Sequence, residues 1–227
     1  MTSSRDTVLA SVRRALGVTS KEAPRRQEVA GRLAAHPAGV VPARAQLPPA
    51  ERLELFKDMV LAAAASLDHL PSRDEVPGAI ATYLRARNLP ATLLRGADPR
   101  LASLPWEREP QLDIWIGASD GRQLVGLSHA FAGIAESGTL VLLSGADNPT
   151  TLNFLPDHHL VVVDAADVTG DYEAAWGRIR AAFGPGTLPR TVNWITGPSR
   201  SADIEQTLLL GAHGPRSLHV LLVGAAG

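Results

Sequence analysis

Leu160-Val161-Val162-Val163-Asp164 is a short apolar run, and the segments after it alternate in kind. Tyr172 to Phe183 carries helical spacing, Thr191 to Thr196 is a second β-prone run, Ala202 to Leu210 has a helical pattern, and Leu218-His219-Val220-Leu221-Leu222-Val223 closes as another strand. Strands that alternate with helices pack as an α/β sheet with helices on its faces. Upstream the texture is the same. Val76 to Asn88 is expected to be a helix, and Ala91 to Arg95 and Leu112 to Ile116 strands, the last ended by Gly117. Gly126 to Ala135 and Thr139 to Leu143 flank Glu136-Ser137-Gly138, which a hairpin explains most economically.

Further toward the N-terminus the pattern is helical. Val8, Leu9, Val12 and Leu16 recur at steps that fit one helix face, and Gly17 supplies a stop. Residues 17–49 hold Pro24, Pro37, Pro42, Pro48 and Pro49 among few large apolar groups, so they are expected to be a linker or irregular loop. Leu53, Phe56, Val60, Ala63, Leu67 and Leu70 predict a single helix over 51–70 whose apolar stripe packs against protein. The expected division is a helical extension over residues 1–70 and an α/β domain over 71–227.

The chain has 227 residues with a formal charge of −1, so it has no global basic field for nucleic acid or an anionic membrane. Its 22 basic residues include two lysines, Lys21 and Lys57, the rest being arginine. Cysteine is absent, which excludes disulfides, thiolate metal sites, cysteine-ligated clusters and a cysteine nucleophile in this chain. No apolar run approaches the roughly 20 residues of a membrane span, and the charged N-terminus has no signal-peptide core. A cytoplasmic location is the expectation.

Four segments could carry chemistry. In Thr196-Gly197-Pro198-Ser199-Arg200-Ser201-Ala202-Asp203, a strand runs into a turn and then the expected helix. A helix start offers free N–H groups to an anion, and Arg200 could clamp it; the same serines and aspartate could equally be simple caps. The segment approaches a serine-hydrolase elbow, but Asp203 lies one helical turn from Ser199, the wrong place for a triad partner. In Ala135-Glu136-Ser137-Gly138-Thr139, one carboxylate stands beside hydroxyls between apolar runs, as a base, nucleophile or anchor, or as a solvated hairpin acid. Adjacent His158 and His159 point in different directions along a chain, and no metal-binding helical pair exists, so no metal site is expected. Gly211-Ala212-His213-Gly214-Pro215 reads as a turn at a site mouth. No Walker loop or dinucleotide fingerprint occurs.

Ala135-Glu136-Ser137-Gly138-Thr139-Leu140-Val141-Leu142, Leu155-Pro156-Asp157-His158-His159, and Gly197-Pro198-Ser199-Arg200-Ser201-Ala202-Asp203-Ile204-Glu205 with Gly211-x-His213-Gly214-Pro215 resemble the LUD domain, and within it the lactate-utilisation protein C group. The resemblance covers roughly residues 70–225, with Ser137 and Ser201 where threonine is commoner. It implies a three-layer α/β/α fold similar to the sugar-phosphate isomerase and CoA-transferase superfamily. It also implies a part in oxidising L-lactate to pyruvate beside iron–sulfur partner proteins. A chain without cysteine would carry no cluster, so no cofactor is expected here. The expected site joins Glu136, facing a reacting centre, to Ser137, Gly138, Thr139, Gly197, Ser199, Arg200, Ser201 and His213 around a small anionic ligand. It is expected at the strand ends where open α/β sheets bind ligands. A stand-alone isomerase- or transferase-like enzyme using Glu136, and a non-catalytic scaffold, are the rival readings; a homo-oligomer is left open.

Overall fold

The computed structural model describes residues 3–19, 21–184, 186–202, 208–211 and 213–225. The chain divides into two compact units, residues 1–40 and 41–227.

The first unit holds α1 (Ser4–Leu16) and α2 (Ala23–Ala35). Ser3 and Asp6 form a reciprocal capping box at the start of α1, and Gly17 ends it in the left-handed conformation at φ 64°. α2 corrects the expectation of irregular structure across 17–49. Pro24 falls in the first turn, where its missing N–H costs no helical bond, so it starts the helix instead of preventing one. No residue of either helix is buried.

The second unit begins with α3 (Pro49–Ala62) and β1 (Ser66–Leu70), followed by α4 (Val76–Ala86), β2 (Thr92–Arg95), α5 (Pro99–Ala102) and β3 (Asp113–Ile116). Then come β4 (Val125–His129), β5 (Ala132–Ile134), β6 (Thr139–Leu143), β7 (His158–Asp164), β8 (Val168–Thr169) and α6 (Tyr172–Phe183). β9 (Val192–Ile195), β10 (Arg200–Ala202), β11 (Leu208–Leu210) and β12 (Ser217–Val223) complete it. The boundary expected at 70/71 therefore falls inside this unit, because α3 and β1 are built into its core.

β1, β12, β7, β4, β2 and β3 form one sheet in that order, every neighbouring pair parallel. Its central strands are covered on both faces, so they read as unbroken apolar runs. Leu127, Leu160, Val162 and Leu221 meet Ile80 and Leu84 of α4 on one face. Val161, Val163, Val220 and Leu222 meet Phe56 and Val60 of α3 on the other. Flanking helices on a mostly parallel sheet are the expected architecture, with one addition. A second sheet, ordered β8-β5-β6-β9, lies beside α3. Leu140 and Leu142 turn toward the central sheet, while Val141, Ala132 and Ile134 turn toward Ala175 and Ile179 of α6.

Two further expectations change. The 51–70 stripe is not one helix. Leu53, Phe56 and Val60 are buried as expected, but α3 stops near Ala63, and Ala64 takes a left-handed turn at φ 62° into β1. Leu67 and Leu70, three apart, lie on opposite faces of that strand and join different cores. The run 126–135 is likewise two strands, split as the chain passes from one sheet to the other at Ala130 and Phe131.

Candidate functional site

Three glycines bring the site segments onto α3 and the strands beside it. Gly138, at φ 65°, lets the β5–β6 turn rest on the α3 backbone: a Cβ there would lie 2.5 Å from the Met59 carbonyl carbon and the Val60 nitrogen. Gly197, at φ 71°, approaches the end of the same helix, one turn on, where a Cβ would lie 2.2 Å from the Ala63 carbonyl oxygen. Gly133 faces the Phe56 ring. The two turns are also tied directly. The Thr139 and Thr196 hydroxyl oxygens lie 2.6 Å apart, and Thr139 also contacts the hydroxyls of Ser137 at 2.7 Å and Tyr172 at 2.9 Å. The Tyr172 ring leans on Trp194, which packs on Trp176.

Glu136 meets the start of α6. It is 6% exposed, and its Oε1 accepts the Tyr172 backbone N–H at 3.2 Å. Tyr172 is the first residue of α6, so the carboxylate serves an otherwise unpaired helix-start donor beside the Asp171 cap, which accepts from Ala174 at 2.8 Å. The contact ties the hairpin to α6, and Glu136 is not among the residues that line the cleft described below.

The Gly197 segment does not enter a helix. Arg200–Ala202 pairs antiparallel with Leu208–Leu210, which corrects the helix expected over 202–210. The helix-start donors invoked for an anion are therefore absent from 200–202; residues 203–207 and the Ser201 side chain lie outside the described residues. The turn is instead stitched to the second glycine motif. Ser199 N–H donates to the Pro215 carbonyl at 2.9 Å, Gly211 N–H donates to the Ser199 carbonyl at 3.0 Å, and Gly214 packs on the Ser199 side chain.

Gly197, Ser199, Arg200, His213, Asn153 and His159 are among the walls of a cavity of about 280 Å³. His213 is exposed at its rim, and the Arg200 guanidinium donates to the Ala63 carbonyl. Arg200 is the only fixed charge among the described lining residues. Thus Gly197, Ser199, Arg200 and His213 converge, Ser137, Gly138 and Thr139 adjoin them through Thr196, and Glu136 lies elsewhere.

Sequence reasoning misses His159 and Asn153 as site residues. The two adjacent histidines do diverge. The His158 ring meets the Tyr83 hydroxyl at 3.0 Å on the α4 side, while His159 turns to the α3 side. His159 Nε2 lies 3.0 Å from the Ser128 hydroxyl, which donates to Asn153 Oδ1 at 3.2 Å; His159 Nδ1 has no partner. Complete burial drives the His159 imidazole down to about 3, so it is neutral near pH 7. No single-residue pattern signals this relay, since Ser128, Asn153 and His159 come from three separate segments.

The cavity opens at the amino ends of β7 and β12, beside His159, Leu218 and the 213–215 turn. Open α/β sheets generally bind ligands at the carboxyl ends, so the site lies at the opposite edge from the usual one.

A parallel sheet with helices on its faces defines an α/β protein, here with a glycine-walled cleft at one sheet edge. The LUD domain family model matches residues 53–223, and the chain belongs to that family. It is similar to lactate utilization protein C of Bacillus subtilis (strain 168), 38% identical over 100 residues that cover 44% of this chain and 42% of that protein. The same-named protein of Geobacillus sp. (strain WCH70) is 35% identical over 133 residues, 55% of each chain. A Neisseria meningitidis protein described as uncharacterized is 36% identical over 128 residues, 56% of this chain and 53% of that one. The chain thus spans about half the length of the curated relatives it matches. A crystal structure of a DUF162 family protein from Deinococcus radiodurans superposes with a TM-score of 0.60 at 26% identity, covering 78% of this chain and 99% of that one. Among the described residues no helix is long and apolar enough to cross a membrane.

Proposed function

We propose that this protein serves in lactate utilisation, as an accessory or substrate-handling subunit of a system that oxidises L-lactate to pyruvate. The observation that carries the reading is the repeated similarity to proteins named lactate utilization protein C. In this reading, iron–sulfur partner proteins move the electrons, since this chain has no cysteine to ligate a cluster. The cleft of Gly197, Ser199, Arg200 and His213 holds the small carboxylate, with Arg200 supplying the charge. The rival enzyme built on Glu136 loses support because that carboxylate is occupied by the start of α6.

The deciding experiment deletes the gene and scores growth on L-lactate, with co-purification of the tagged protein in parallel. Wild-type protein should restore growth and retain cysteine-rich iron–sulfur proteins, while Arg200→Ala should restore it poorly. Normal growth of the deletion strain on lactate, or a protein purified without any iron–sulfur partner, would refute the subunit reading.

A further inference from the structure

The carboxyl edge of the central sheet holds another cavity, of about 270 Å³, that the proposed cleft leaves unused. Its wall includes His129, which ends β4, and Arg100, which follows β2. These two strands are neighbours, and the chain leaves them in opposite directions, β2 toward β3 and β4 toward β7. Such a switch point is where open α/β sheets place ligands.

Arg73, Arg95 and Arg100 share this edge with Asp98, Asp147 and Asp164, and the pairing among them is uneven. Asp98 is 2% exposed and is taken by Arg100, Nε to Oδ1 at 3.0 Å and Nη2 to Oδ2 at 2.7 Å, with the Asn148 amide donating at 3.1 Å. Asp164 is shared between Arg73 and His129, whose Nε2 lies 3.3 Å away. Arg95, at the end of β2, has no such partner. It is 6% exposed, it donates once to the Gly96 carbonyl at 2.8 Å, and its Nε is buried without an acceptor. No carboxylate of the described residues forms a salt bridge with it, and Asp98, already held by Arg100, acts on it only through its charge. A buried guanidinium left unpaired is costly, and a nearby anion offsets the cost.

Hydrogen-bond donors are free at the same place. Arg100 commits Nε and Nη2 to Asp98 and leaves Nη1 over. The turn at 145–148 is closed by Gly145 N–H to the Asn148 carbonyl and Asn148 N–H to the Gly145 carbonyl, both at 3.2 Å. The N–H groups of its central residues, Ala146 and Asp147, donate to no described group. Asp147, the acid on this rim, is exposed to solvent. Phe131, Leu143 and Phe183 form an apolar wall opposite. We propose that this cavity binds a small organic oxyanion, a carboxylate or phosphate ester bearing an apolar group. The head would lie on Arg100 and the turn N–H groups, and the tail against the two phenylalanines.

The test is calorimetric titration of the full chain with phenyl phosphate, benzoate and inorganic phosphate. Gly145 lines the cavity and has open space where a Cβ would stand, so Gly145→Phe adds a ring at the cavity wall without straining the turn. Asp98→Asn/Arg100→Gln removes the charged pair together, so neither of its two members is left alone, although Arg95 loses the Asp98 charge as well. At least one organic anion should bind, more tightly than inorganic phosphate, and each variant should weaken it by about tenfold or more. Preference for benzoate or phenyl phosphate identifies the head group. Absence of binding, or binding that survives Gly145→Phe, overturns the proposal. Binding lost in Arg200→Ala but kept in Gly145→Phe also overturns it, and assigns the anion to the other cleft.

Discussion

Gly138→Ala tests whether the site hairpin is truly seated on α3, and its cost can be worked from two contributions. The backbone at Gly138 has φ 65°, where an L side chain costs roughly 1–2 kcal/mol. The added methyl would also stand 2.5 Å from the Met59 carbonyl carbon and the Val60 nitrogen, against about 3.5–4.0 Å for unstrained carbon contact. Those atoms are helix backbone, so either the turn or α3 must shift by about an ångström, an overpacking penalty of roughly 1–3 kcal/mol. The expected loss is therefore about 2–5 kcal/mol. Gly121→Ala isolates the first contribution, because φ there is 89° and nothing lies within 4 Å of the added atom; it should lose only about 1–2 kcal/mol. Urea unfolding followed by tryptophan fluorescence is the assay, since all four tryptophans lie in residues 41–227. Equal stability of the two variants would refute the seating of the hairpin on the helix.

Phe56→Ala should cost about 3–5 kcal/mol in the same assay, because the ring is fully buried between α3, Gly133 and the central sheet; a loss under about 1 kcal/mol would show the stripe is not core. Glu136→Gln should keep stability within about 1 kcal/mol, since an amide oxygen still accepts the Tyr172 N–H, whereas Glu136→Ala should lose about 1–2 kcal/mol by orphaning it. Acid should weaken the fold well above the carboxylate range. Burial lowers His159 to about 3, and lowers His219 to about 4 although Asp68 pulls the other way, while in the unfolded chain both titrate near 6.5. The unfolded state then binds the extra protons, so this stability is complete above about pH 6.5 and is lost progressively as pH falls toward 3–4. Unfolding free energies that stay flat from pH 7 to 5, or a His159→Gln variant with an unchanged slope, would contradict that.

How much of the fold can be read from the chain alone depends on how local each signal is. β7 and β12 announce themselves because a parallel strand covered on both faces needs apolar residues at every position. α6 is legible end to end, since Asp171 caps it and Ala175 and Ile179 repeat on one face. The failures are places where two structures satisfy one pattern. Leu67 and Leu70 fit a helix at three-residue spacing, and fit a strand equally if opposite faces are both buried. Pro24 breaks a helix interior but suits a first turn, and nothing nearby in the sequence chooses between them. The pairing of β10 with β11 overrides the helical pattern of 202–210, a tertiary effect that no local propensity carries.

The site divides along the same line. Gly138 and Gly197 are legible because a positive φ and close backbone approach both demand glycine, so they correctly mark where chain meets chain. Gly197 also lines the cleft, whereas Gly138 does not. The role of Glu136 is fixed by an N–H on Tyr172, and that of His159 by Ser128 and Asn153 on other segments. Arg95 stands out only because Arg100 has already claimed Asp98. In each case the informative quantity is the unpaired remainder after every nearby donor and acceptor has been matched. One Glu136 oxygen serves a helix start, a structural role that the sequence around it does not reveal. Among the buried nitrogens without a hydrogen-bond partner, His159 Nδ1 and Arg95 Nε lie at opposite edges of one sheet, and each is a sharper place to test for ligand binding than a carboxylate that already caps a helix.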